Sequence, residues 1–218
     1  FIVNDYPSFA LKSKKAAALK EDGKTVTVSG RNFNAVFDKE SGLMTSYIFN
    51  GQEYVNDGFG FRPFFWRAPI DNDYGAGLPR KLKEWKEASY QQPKAENFRV
   101  SKGQTTVISY RYVYPQAKAT NEITYTIYSD GAIRVQNSFD PTASETELIP
   151  RIGMRMQLPA DVINAEYYGR GPWGNYADRH NSAFVGRYTL PIREMVTKYV
   201  LPQENAHHTD TRWLALTR

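Results

Sequence analysis

The feature that most constrains this chain is strict two-residue alternation in two neighbouring segments, Thr105 to Tyr114 and Ala119 to Ser129. At that period Ile123, Tyr125 and Ile127 share one face, and Glu122, Thr124 and Thr126 share the other. A helix would scatter those six around its axis, whereas a half-buried strand sorts them. Ser129-Asp130-Gly131 then turns the chain into Ala132 to Phe139. The same grammar appears upstream. Thr25 to Val28 alternates, Asn34 to Asp38 reads as a second strand, and Lys39-Glu40-Ser41-Gly42 reads as its turn. Leu43 to Phe49 ends at Asn50-Gly51, the dipeptide best suited to a two-residue hairpin. Further short strands are expected at Arg151 to Leu158 and Asn164 to Gly169. One helix is expected between Leu78 and Ser89, where Leu78, Leu82 and Trp85 recur at helical spacing and Pro79 suits the first turn. The fold class is therefore all-β: a large antiparallel β-sandwich with one short helix.

A length of 218 residues suits one such domain. Residues 1–22, rich in Lys and Ala, read as a linker from a preceding domain, and residues 23–218 read as the sandwich. The start at Phe1 without a Met suggests part of something longer. The net charge of +5 comes from scattered Lys and Arg, so a nucleic-acid partner is not expected. No apolar run approaches the roughly 20 residues that span a bilayer, so a membrane partner is not expected either. With no cysteine there is no disulfide, zinc-thiolate or thiol-nucleophile chemistry. The compartment stays open between cytoplasm and periplasm.

Three segments concentrate polar side chains. The first runs from Arg67 to Gly75 and includes Asp71, Asn72 and Asp73. These side chains either cap the following loop and helix or line a polar site, and Gly75 and Gly77 permit a mobile loop. The second runs from Gly169 to Arg179. Its Trp173, Asn175, Tyr176, Asp178 and Arg179 match the needs of a sugar site, in which flat rings cover C–H patches and planar polar groups bind hydroxyls. The alternative is inward packing of the rings and internal pairing of Asp178 with Arg179. The third runs from Pro202 to Leu216 and contains Glu204, Asn205, His207 and His208. Adjacent histidines on a strand face opposite ways, so they do not chelate one metal together, and His180 is the sole other histidine. Asp71-Asn72-Asp73 lacks the spaced acids of a calcium loop. No metal site and no cofactor are expected in this chain.

Together these segments resemble the conserved blocks of the small-chain, C-terminal domain of lacZ-type β-galactosidases of the glycoside hydrolase 2 group. Arg67 to Asp73 matches R-A-P-x-D-N-D, Gly169 to Arg179 resembles G-x-G-P-x-E-N-Y-x-D-R, and Pro202 to Asn205 with Arg212 to Leu216 resembles P-Q-E-N followed by R-W-L-A-L. The order and separations agree over about residues 25–217. The chain departs from the pattern at Gly174, where Glu is usual, at Ala177, where Pro is common, and at Ala206, His207 and His208.

The resemblance implies a supersandwich similar to galactose mutarotase. It implies a domain that packs on a catalytic barrel and helps wall a galactoside site, with Gly75 near its mouth. It also implies a homo-oligomeric parent enzyme that uses divalent and monovalent cations in the barrel. The substrate-binding candidates are Arg67, Asp71, Asn72, Asp73, Gly75, Trp173, Asn175, Tyr176, Asp178, Arg179, Glu204, Asn205 and His207. The family's sugar-stacking Trp lies beyond the last block, so the domain is expected to be truncated after Arg218 and its sandwich to have open edges. Retaining glycoside hydrolysis needs two carboxyl groups about 5 Å apart. In the family both sit on the barrel, so no catalytic residue is assigned here and the isolated chain is expected to be inactive. Two alternatives remain at this point. One is a mutarotase-like aldose epimerase using Glu204 with His207 or His208, and the other is a stand-alone carbohydrate-binding module.

Overall fold

The computed structural model describes residues 15–218 apart from Pro202, with the side chains of Ala177 and Asp178 also outside the description. The chain forms two compact units, one of residues 15–66 and 80–159 and the other of residues 67–79 and 160–218.

The first unit is an antiparallel two-sheet sandwich. One sheet runs in sequence order through β1 (Ala18–Glu21), β2 (Thr25–Ser29), β3 (Phe33–Asp38), β4 (Met44–Phe49) and β5 (Gln52–Glu53). β6 (Arg62–Phe64) then precedes the second large sheet of β7 (Glu96–Lys102), β8 (Thr106–Tyr114), β9 (Ala119–Ile127) and β10 (Ile133–Asp140), while β11 (Gly153–Arg155) pairs with β6. The alternation read from the sequence is the one observed. Ile123, Tyr125 and Ile127 are fully buried, and Glu122 is exposed on the opposite face of β9. Facing them are Val26 and Val28 of β2 and Ala35 and Phe37 of β3, all fully buried. Phe37 meets Tyr125 edge-on across the two sheets, with ring centroids 5.0 Å apart. Burying those apolar faces drives the packing, at about 25 cal/mol per Å². Asn50 and Gly51 both take positive φ, 50° and 80°, which closes β4 onto β5 with two residues.

Helical segments are α1 (Asp71–Gly75), α2 (Leu78–Lys81) and α3 (Lys83–Tyr90). The single helix expected over residues 78–89 is thus split at Leu82, whose φ of −118° and ψ of 27° are not helical. Leu82 and Trp85 are buried as their spacing implied. Trp85 packs on Phe65 and Phe139 and donates its indole N–H to Thr146 Oγ1 at 2.8 Å. Gly75 lies inside α1 instead of in a loop, and Gly77, at φ 69°, follows the helix. Within the stretch read as a linker, Ala18–Glu21 is the edge strand β1, and residues 1–14 lie outside the described residues. No helix among the described residues is long and apolar enough to cross a membrane.

The second unit is built on three antiparallel strands, β12 (Asn164–Gly171), β13 (Phe184–Pro191) and β14 (Trp213–Thr217), with β12 in the middle. All three polar sequence segments belong to this unit.

Candidate functional site

β12 positions the second segment. Its inward residues are Ala165, Tyr167, Gly169 and Gly171. A Cβ on Gly169 would lie 2.9 Å from the backbone Cα of Thr211, so only a glycine lets the third segment lie this close to the strand. That close approach carries main-chain bonds: Arg170 N donates to Thr209 O at 3.1 Å, and Arg212 N donates to Tyr168 O at 2.8 Å. Past the cis bond between Gly171 and Pro172 the chain reaches Asn175, which is fully buried.

Asn175 ties two loops together. Its amide group donates to Arg170 O at 3.2 Å and to Trp173 O at 3.0 Å, and its oxygen accepts from Thr209 N at 3.1 Å and from the Thr209 hydroxyl. Its own N–H donates to His207 O at 2.7 Å, and His207 Nδ1–H returns a bond to Asn175 O at 2.9 Å. Every polar group of this residue is therefore engaged internally, and it holds the site's frame instead of facing a sugar. The same holds for Asp73. Buried in the first turn of α1, it accepts from Ile70 N–H at 3.0 Å and from Arg67 Nη2 at 2.8 Å. Of the two readings left open by the sequence, capping describes Asp73. Asn205 likewise braces a loop, accepting from Thr197 N at 2.8 Å and donating to Thr197 O.

The three segments share one concavity of about 550 Å³, lined by Arg67, Ile70 and Asn72, by Tyr176 and Arg179, and by Tyr199, Gln203 and Glu204. Glu204 reaches the first segment, accepting from Ala68 N–H at 3.2 Å, and Arg179 donates to the Tyr199 hydroxyl at 2.8 Å. Glu204 is the carboxylate in this lining among the described residues, and Arg67 and Arg179 bring two guanidinium groups to the same lining. The lining therefore offers charged hydrogen-bonding groups beside two phenol rings, a combination suited to a polyhydroxylated ring.

The remaining described candidates are not in this lining. Asp71 and Gly75 are exposed on α1. Trp173 is 54% exposed and does not line the concavity. The side chain of Asp178, like Pro202, lies outside the described residues. His207 stacks flat against Tyr176 from outside the lining. His208 turns the other way, tilted against Tyr167 with centroids 4.9 Å apart, and its Nδ1–H donates to Arg170 O at 3.3 Å. Burial holds the His208 imidazole below its usual pKa, and the nearby His207 adds to this, while the Arg170 carbonyl bond works the other way. Neither histidine is in the lining that holds Glu204. The histidines lie in an irregular loop ahead of β14, not on the strand supposed for them. A Cβ on Gly174 would lie in ordinary contact with His207 O at 3.6 Å, so space is not what keeps that position small. Among the described residues no group of three His, Asp or Glu side chains could hold a metal ion.

Ile70, Tyr199 and Gln203 were not among the candidates, and they enter the lining through the path of their loops. Arg170 was also missed. Its guanidinium pairs with Asp210 at 2.6 Å and donates to His180 O and Ala183 O, at 3.0 and 2.8 Å, so it pins the loop that carries Arg179. An Arg between two strand glycines was the available signal.

Known proteins resemble this chain over most of its length. A family model described as the β-galactosidase small chain matches residues 29–218. A β-galactosidase of Priestia megaterium (strain DSM 319 / IMG 1521) is 36% identical over 212 residues, covering 95% of this chain and 20% of the relative. Those of Vibrio cholerae serotype O1 and Lactobacillus delbrueckii subsp. bulgaricus are 31% and 32% identical, covering 89% and 87% of this chain and 20% and 18% of theirs. The chain thus spans about a fifth of the length of these relatives. With the family model covering most of its length, the chain belongs to the β-galactosidase small-chain family.

Proposed function

We propose that this chain serves as a non-catalytic part of a β-galactosidase, forming one wall of the pocket for a terminal β-D-galactoside. The observation that carries this reading is the concavity into which Arg67, Asn72, Tyr176, Arg179 and Glu204 converge from three distant segments. In this reading the two carboxyl groups of retaining hydrolysis, about 5 Å apart, come from a barrel elsewhere in the full-length protein. That barrel would also hold the divalent and monovalent cations. The wall contributes orientation, which lowers the barrier by holding the sugar where the reacting groups meet it. The same reading includes the glycoside hydrolase 2 group, a mutarotase-like sandwich and a homo-oligomeric assembly in which this chain takes part.

The test is kinetic, in the full-length protein. Asn72→Ala and Glu204→Gln each remove one lining group, and the Gln oxygen can still accept from Ala68 N–H. Each is expected to raise KM for a β-galactoside by about tenfold, the loss of one hydrogen bond of about 1.4 kcal/mol, with a smaller change in kcat. Unchanged KM in both variants would remove the wall from the galactoside site.

A further inference from the structure

Arg62 of β6 and Arg155 of β11 are direct register partners in an antiparallel pair. Their guanidinium groups converge on one ring, with Cζ atoms 3.7 and 5.2 Å from the centroid of Phe59. Arg155 is further enclosed by Phe64 at 4.4 Å and Tyr90 at 4.7 Å. Both side chains line a recess of the first unit, together with Gln92 and Tyr112.

Like charges directly opposite one another on a ladder repel, and among the described residues no carboxylate pairs with either group. Among the described residues neither arginine forms an ion pair. Arg155 donates one long bond, 3.3 Å, to Ser89 O, and the buried Nε of each arginine has no hydrogen-bond partner. Burial, and then the charge of Arg155, holds the Arg62 guanidinium below its usual pKa. The aromatic faces orient the two groups by cation–π attraction but do not neutralise them. What stays unmatched is the donor edge of each plane, a fork that fits the oxygens of a carboxylate or phosphate.

The geometry points to an oxyanion site, in which one carboxylate or phosphate group binds between Arg62 and Arg155. A free anion and an acidic side chain from the rest of the full-length protein share this chemistry. The recess lies in the first unit and the concavity with Glu204 in the second, so this inference stands or falls separately from the reading above.

Two measurements on the full-length protein test it. In the first, the thermal midpoint is followed during titration with sodium phosphate and with sodium acetate at constant ionic strength. A free-anion site is expected to raise the midpoint by roughly 2 °C or more in the wild type and in the exposed control Arg134→Gln. That rise is expected to vanish in Arg62→Gln and Arg155→Gln. In the second, a wild-type crystal grown with selenate reads the recess without any variant. An anomalous selenium peak within hydrogen-bond reach of both guanidinium groups assigns the free anion. A flat titration with an Asp or Glu carboxylate seated there assigns the side chain. A recess holding only water, or a midpoint rise that persists in both variants, overturns the inference.

Discussion

The imidazole of His207 lies flat on the phenol of Tyr176, with ring centroids 4.3 Å apart and planes within 6°. Tyr176 lines the concavity and His207 does not, so the histidine supports one of the site's two phenol rings from outside the lining. His207→Ala is expected to raise KM for a β-galactoside several-fold, with a stability loss of about 1 kcal/mol for the ring contact and a similar loss for the bond to Asn175 O. His207→Phe restores the stacking alone and is expected to recover most of the KM. Equal KM values in the two variants would show that the hydrogen bond, not the ring, positions Tyr176.

Asn175 joins both loops through its buried amide. Asn175→Leu leaves Trp173 O and Thr209 N–H without this partner, and leaves Arg170 O with the bond from His208 alone among side chains. A cost of about 3 kcal/mol or more is expected, since each abandoned group costs about 1–3 kcal/mol. Thermal unfolding of the full-length protein checks this, and a midpoint within 1 °C of wild type would mean that the loops are held by other contacts.

Gly169→Ala places a methyl against the Thr211 backbone, which cannot rotate away as a side chain could. The third segment must then lift from β12, straining the bonds Arg170 N to Thr209 O and Arg212 N to Tyr168 O. A loss of about 1–3 kcal/mol is expected. Amide hydrogen exchange in full-length protein should show faster exchange at Arg170 and Arg212 in particular.

His208 gives a pH dependence with a defined sign. Its folded pKa is depressed, mainly by burial, and its Nε2 is buried with no hydrogen-bond partner. Above the unfolded value of about 6.5 the imidazole is neutral in both states and folding is not penalised. As pH falls below that value the unfolded chain takes up the proton first, so stability declines until the folded pKa is passed. Midpoints measured from pH 7.5 down to 5 should fall more steeply in wild type than in His208→Gln. Parallel curves would remove this histidine as the source.

The β-sheet core was legible because its signal is local. Residues 119–129 alternate whatever surrounds them, and Asn50-Gly51 supplies two left-handed residues without help. Strands β7 and β13 escaped notice because they lack a clean apolar face: Val100 is the one aliphatic residue in Glu96–Lys102, and Phe184 is 74% exposed. The break at Leu82 was hidden for a related reason. Leu82 and Trp85 keep their three-residue spacing whether one helix or two carry them.

By itself the sequence determined which residues alternate, where the hairpin turns fall, and which three segments hold the polar side chains, because each depends on neighbours a few positions apart. Only the tertiary structure decided what those polar groups do. Asn72, Asp73 and Asn175 look alike in sequence, yet one lines a concavity, one caps a helix and one is buried between loops. The physical reason is that a polar group's role follows from which partners surround it. Here those partners come from segments as far apart as Ala68 and Glu204.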